Sequence, residues 1–370
     1  MELESEQSFL QKYGDHYIAV NEDGKLRSKH PMWRAGKPYS HAFKRPINAG
    51  IDSNHIVFFI HGGLNTLQST VQRIQSMDKE FRGEPYHLVH LAWDTSLGSS
   101  IDDMVAKMIS VGGMADTYRA LLSKMPWNWS KSRSPRYDPI AYFGGVVWKS
   151  QYDTALSATS KPKGIPSDRN AGFYRAFEHL NRCTVYNPKL RISFVVHSAG
   201  SIVSNYLIRA MKEDFPELAT RVSNYILLAP ACHITQFTEA EQVLSRTKRV
   251  VLSLGSEFEQ KNYSSIYSKS ILWAVYDMFE SAWGKKDFER YTLPFVESSQ
   301  HNPRRNRYVL GLDEQVQAYD KAKIGKGIYW ASTGQKTSIK GTKRVWTNAR
   351  THSEFISDPT TIESLKILLS

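Results

Sequence analysis

Two cysteines in 370 residues, Cys183 and Cys232, are too few for a disulfide framework, and no Cys-x-x-Cys pair offers a thiolate metal site. That scarcity suits a reducing compartment, so the expected location is cytoplasmic. Long apolar runs are missing as well. The longest are of strand length, such as His55 to Ile60, far short of the ~20 residues that cross a bilayer. The first residues, Met1-Glu2-Leu3-Glu4-Ser5-Glu6-Gln7, are acidic and lack the basic and apolar parts of a secretory signal. Neither the dinucleotide pattern Gly-x-Gly-x-x-Gly nor the phosphate-loop pattern Gly-x-x-x-x-Gly-Lys occurs, which argues against nucleotide binding. The histidines are not spaced with Asp, Glu or Cys as metal ligands usually are, so neither a metal nor another cofactor is expected.

What is present is ordinary in bulk and biased in charge. Hydrophobic residues make up 41% and charged ones 23%, which supplies a large core and gives no reason to expect general disorder. The formal net charge is +12, with basic clusters at Lys124 to Arg136, Lys285 to Arg290, Arg304 to Arg307 and Lys321 to Arg344. Such an excess attracts anionic partners at long range. No base-reading motif accompanies it, so nucleic acid is not the expected partner; peripheral contact with an anionic membrane is.

Strand and helix patterns alternate from His55 onward. Apolar strand-like runs at His55 to Ile60, Tyr86 to Trp93, Arg191 to Val196, Tyr225 to Leu228 and Arg249 to Leu254 are separated by helical patterns at Leu67 to Phe81, Ser201 to Met211 and Phe237 to Leu244. A last strand is expected near Lys343 to Trp346 and a final helix over Thr360 to Leu369. This alternation predicts an α/β fold with a doubly wound, mostly parallel sheet across residues 51–370. Residues 1–50 read as an N-terminal extension wrapped on that core. Two stretches, about 95–168 and 262–341, are too long for strand–helix connections and read as insertions. Their aromatics, among them Trp127, Trp129, Trp148, Tyr263, Trp273 and Phe279, are either core filler or the inner lining of a cap over an acyl pocket.

The residues with chemistry fall at strand ends. Val195-Val196-His197-Ser198-Ala199-Gly200 joins a strand directly to a helix, and a serine at such a sharp turn exposes its hydroxyl above the sheet. The blander role for Ser198 is to cap the first helical turn. A serine nucleophile needs a base, and His352 lies on the polar loop Arg350 to Pro359 just ahead of the final helix. It needs a carboxylate to orient that base. The strand ending at Leu254 runs into Gly255-Ser256-Glu257-Phe258-Glu259-Gln260, where Glu259 is the preferred acid and Glu257 its alternative. It also needs donors for an oxyanion, which the side-chain-free turn Gly62-Gly63 offers through the amide of Gly63, facing that of Ala199. Leu64 and His197 would line the substrate pocket.

The order His61-Gly62-Gly63, His197-Ser198-Ala199-Gly200, an acid after the next-but-one strand, then His352, resembles the α/β-hydrolase superfamily over most of residues 50–370. His197 before the serine, the strand end Leu228-Ala229-Pro230-Ala231 and the loop Thr351-His352-Ser353-Glu354-Phe355 are similar to esterase and lipase-like members. Val196 stands where the elbow usually has glycine, and a glutamate stands where aspartate is commoner. The resemblance implies a serine hydrolase cleaving carboxylic esters, small-molecule or lipid, through a Ser198-His352-Glu259 triad and an acyl-enzyme. The competing expectation is a protein of the same fold that binds a ligand without turnover.

Overall fold

The computed structural model describes residues 6–27, 42–63, 67–93, 138–162, 171–244, 246–260, 270–280, 308–319, 324, 328–339 and 344–370. Seven strands build one sheet: β1 (Tyr17–Val20), β2 (His55–Ile60), β3 (His87–Trp93), β4 (Arg191–His197), β5 (Val222–Leu228), β6 (Lys248–Ser253) and β7 (Ile328–Ser332). Their spatial order is β1-β3-β2-β4-β5-β6-β7, and every neighbouring pair is parallel. Parallel strands need covered crossovers, and the described helices supply them. Along the first half these are α1 (Glu6–Tyr13), α2 (Lys44–Asp52), α3 (Leu67–Phe81), α4 (Asp138–Thr159), α5 (Gly172–Cys183) and α6 (Gly200–Asp214). The second half adds α7 (Pro216–Ala219), α8 (Ile234–Val243), α9 (Ser256–Glu259), α10 (Ile271–Ala274), α11 (Asp313–Ala318) and α12 (Pro359–Leu369).

The central strands are apolar on both sides because both sides are covered. Alternate residues of β2 enter opposite cores. On one face Phe58 and Phe194 meet Phe177 of α5, with ring centroids 4.9 Å and 6.0 Å from it. On the other, Val57, Phe59, Val195 and Ile226 pack with Met77 and Phe81 of α3 and with Ile362, Leu365, Leu368 and Leu369 of α12. Helix α12 starts sharply because Asp358 accepts from the amide of Thr361 at 2.9 Å and Pro359 occupies the first turn.

The strand order reverses direction at the middle of the sheet. From β2 the chain steps to β3 on one side, whereas from β4 it runs on through β5, β6 and β7 on the other. The carboxyl ends of β2 and β4 therefore flank a topological switch point, where open α/β sheets leave room for a ligand. Gly62 and Gly63 follow β2, and Ser198 follows β4.

Three expectations need correction. The last strand is Ile328–Ser332, not a segment near Lys343 to Trp346; Val345 is buried but makes only an isolated antiparallel bridge with Thr337. The strand was hidden because its outer half, Ile328 to Trp330, is only half-buried at the sheet edge and sits within the stretch read as an insertion. Residues 1–50 are not merely an extension, since Tyr17–Val20 is the edge strand beside β3. Helix α4, inside the first long stretch, buries Val147, Trp148, Tyr152, Ala155 and Ala158 in the same core as the sheet, and Leu272, Val275 and Phe279 of the second stretch join it. The aromatics around Trp127, Trp129 and Tyr263 lie outside the described residues, as do the basic clusters at Lys124 to Arg136, Lys285 to Arg290 and Arg304 to Arg307; of Lys321 to Arg344, residues 324, 328–339 and 344 are described. No described helix is long and apolar enough to cross a membrane.

Candidate active site

Ser198 sits at the tip of a strained turn. Its φ is +53°, a left-handed conformation that costs a non-glycine residue on the order of 1–3 kcal/mol. The turn is clamped by β5 and the next loop: the Ser198 amide donates to Leu228 O at 3.0 Å, and Ser198 O accepts from the Ala231 amide at 3.1 Å and from Ser201 Oγ at 2.6 Å. No side chain caps helix α6, so Ser198 does not play the blander part. Val196, before the turn, is fully buried in the core. A Cβ on Gly200 would lie 2.5 Å from Ile60 O and 2.7 Å from His61 O, so α6 can approach β2 only with glycine there.

The Ser198 hydroxyl is 2.7 Å from Nε2 of His352, a residue 154 positions later. His352 is held from behind, because Nε2 of His197 donates to its carbonyl at 2.9 Å and the two rings lie 5.1 Å apart. Its loop is braced by Glu354, whose carboxylate accepts from the Arg350 amide at 2.7 Å and the Thr351 amide at 3.3 Å, and by Phe355, which is fully buried. Burial lowers the pKa of His352 to about 4, so the imidazole is neutral at pH 7 and able to accept a proton. Its Nδ1 is sealed from solvent and has no hydrogen-bond partner among the described residues.

The expected acids do not fill that position. Glu259 ends α9, its side chain accepting from Ser270 Oγ and its carbonyl from the Ser270 amide at 2.8 Å. Burial raises its pKa to about 8; the Ser270 hydrogen bond opposes the shift and the charge of Asp313 adds to it. Glu257 is exposed. Neither makes a hydrogen bond to His352, so the structure joins serine to histidine but not histidine to glutamate. The sequence reading missed Asp313, which accepts from Ser253 Oγ at 2.7 Å and from Ser332 Oγ and so ties together the ends of β6 and β7. Its one legible sign was its place after the apolar run Val309-Leu310-Gly311-Leu312.

The glycine turn meets the serine directly. A Cβ on Gly62 would stand 3.0 Å from Ser198 Cβ and 3.4 Å from its Oγ. His61 holds this turn in place: Nδ1 donates to Gly62 O at 2.7 Å, Nε2 accepts from the Trp93 amide at 3.3 Å, and its carbonyl accepts from Trp93 Nε1 at 3.0 Å. Those bonds require the neutral ring, and burial, with Arg73 close by, drops its pKa to about 3. Ala199 is buried immediately after the serine. Leu64 lies outside the described residues, and His197, expected to line the pocket, is instead the brace behind His352. His233 is paired with Glu280 in the core at 2.6 Å, away from any metal-like grouping. Among the described residues no three His, Cys, Asp or Glu side chains gather as metal ligands.

Comparison with protein-family models, curated proteins and solved structures gives no match to this chain. Its chemistry therefore rests on the geometry: a strained serine, a neutral histidine in hydrogen-bond contact with it, and a backbone turn without side chains beside both.

Proposed function

We propose that the protein is a serine hydrolase acting on carboxylic esters, on a fold of α/β-hydrolase type. The observation that carries this reading is the 2.7 Å contact between Ser198 Oγ and His352 Nε2 at an elbow with φ of +53°. Nucleophile and base within hydrogen-bond reach, on a turn strained to present the nucleophile, is the arrangement acyl transfer needs. Nε2 of His352 takes the hydroxyl proton as Ser198 Oγ adds to the ester carbonyl. The oxygen that gains the charge is met by the amides of Gly63 and Ala199. The imidazolium then protonates the departing alcohol, and water, activated by the same imidazole, hydrolyses the acyl-enzyme.

Among the described residues the geometry supports a Ser198-His352 dyad rather than a Ser-His-Glu triad, since Nδ1 of His352 meets no carboxylate there and Glu259 is held neutral on Ser270. That same open Nδ1 favours the second reading, a ligand-binding protein of this fold without turnover: an imidazolium with no acceptor behind it is a weak acid–base catalyst. The net charge of +12 favours lipid or acyl esters at an anionic surface.

A fluorophosphonate probe separates the two readings. Hydrolase chemistry predicts phosphonylation of Ser198, mapped by mass spectrometry and abolished in Ser198→Ala and His352→Ala. A folded wild type that stays unlabelled identifies the binder. For the surface, sedimentation with phosphatidylserine-containing vesicles should exceed that with neutral vesicles; equal, low recovery in both would remove the membrane from the proposal.

A further inference from the structure

Helix α4 carries an amide that the fold leaves unused. Gln151 is fully buried, and among the described residues both its Oε1 and its Nε2 lack hydrogen-bond partners. Its neighbours on the helix are satisfied. Trp148 Nε1 donates to Glu280 at 3.0 Å, Tyr152 OH donates to Gln236 Oε1 at 3.3 Å, Thr154 Oγ1 donates to Glu22 O at 2.9 Å, and Thr159 Oγ1 donates to Ala155 O at 2.7 Å. A buried carboxamide left without partners is costly, and as filler it would serve worse than leucine or methionine.

Its position gives the reason. The carboxamide lies over Gly63: a Cβ there would stand 2.0 Å from Oε1 and 2.9 Å from Nε2 of Gln151. Gly62, the preceding residue, faces Ser198 Oγ in the same way. Gln151 and Ser198 therefore flank one two-residue turn, the turn whose amide is read as the oxyanion donor. Glycine is needed at 63 because this side chain occupies the space a Cβ would take.

Building on the hydrolase reading, we propose that Gln151 is a substrate-contacting residue of the Ser198 site. Its Nε2 donates to the oxygen that becomes negative when Ser198 adds to the carbonyl, alongside the amides of Gly63 and Ala199. A side-chain amide can serve an oxyanion as a backbone amide does, and losing one such donor slows catalysis by about a hundredfold to a thousandfold.

The test is the second-order rate of Ser198 labelling by a fluorophosphonate, whose P=O oxygen takes the place of the substrate oxyanion. Wild type is compared with Gln151→Met and Gln151→Glu, with thermal midpoints measured in parallel. Methionine keeps length and volume without a donor; glutamate keeps the shape and turns the donor into an anion. The proposal expects labelling at least tenfold slower in Gln151→Met, slower again in Gln151→Glu, and an unchanged or higher midpoint for Gln151→Met. Labelling of either variant at the wild-type rate overturns it. So does a slower rate that merely follows a fall in midpoint, which would make the amide structural. A wild type that is not labelled refutes the hydrolase reading and this inference together; a labelled wild type with unaffected variants refutes this inference alone.

Discussion

Replacing Glu259 by glutamine asks whether this carboxyl is a working member of the site or a neutral part of the core. In the folded protein burial raises its pKa from 4.5 to about 8. A raised carboxyl pKa means the folded state binds more protons than the unfolded chain between those values. Its contribution is therefore fully present below about pH 4.5 and is lost as pH rises toward 8. Between pH 5 and pH 7 the unfolded chain has released most of this proton while the folded protein keeps it. At 1.36 kcal/mol per proton per pH unit, wild type loses roughly 2 to 3 kcal/mol from this group alone. Glutamine keeps the shape and the acceptor for Ser270 Oγ but cannot ionise. Glu259→Gln should therefore be more stable relative to wild type at pH 7 than at pH 5, by roughly that amount. Comparing the two proteins at each pH cancels the buried histidines that titrate in the same window in both. Urea unfolding at the two pH values measures the difference, and fluorophosphonate labelling at pH 7 should be unchanged. A variant less stable than wild type at pH 7, or one labelled a thousandfold more slowly, would mean that Glu259 is charged and oriented on His352, and the assignment above would fall.

Other consequences follow from the same geometry. Gly200→Ala should destabilise the fold by about 1–3 kcal/mol, because the added methyl meets the backbone oxygens of Ile60 and His61 and neither can withdraw; a change within 0.5 kcal/mol in urea would show that α6 can move off β2. Labelling of Ser198 should be level from pH 8 to about pH 5.5 and half-lost near pH 4, where His352 protonates and can no longer accept the serine proton, with circular dichroism at each point to verify the fold. A midpoint near 6.5 would place the imidazole in water. His197→Phe removes the donor behind the His352 carbonyl and should slow labelling about tenfold, as the loss of a positioning hydrogen bond of about 1.4 kcal/mol would, with a smaller effect on the thermal midpoint; an unchanged rate would show that the loop holds itself.

The sheet was legible where its strands are apolar on both faces. His55–Ile60 and Arg191–His197 are central, and the continuous hydrophobic run that such burial requires is visible in the sequence itself. Both edges escaped for the converse reason. Tyr17–Val20 is only four residues long within a polar and aromatic segment, and Ile328–Ser332 is half exposed along most of its length, so neither carries the run that marks a buried strand. The buried faces of α4 and of residues 271–280, within the two long stretches, share the main core with the sheet.

At the site, the legible residues are those whose role follows from the backbone beside them. Ser198 is fixed by a strand-to-helix turn and the glycines by the strand before them, and a short chain pattern suffices to find both. His352 is recognisable by its place before the last helix, and its Nε2 lies 2.7 Å from Ser198 Oγ. What pattern could not reach are partners set by the distance between elements. Ser270, which holds Glu259, Asp313, which joins β6 to β7, and Gln151, which lies on Gly63, each act across at least 11 positions of chain. None is marked by its own neighbours in sequence. The acid was assigned by counting from a strand end, a rule that locates a carboxyl but not the direction in which it points. Glu259 shows the limit of that rule, since burial and Asp313 make it a proton-bearing group on Ser270 rather than a charge behind His352.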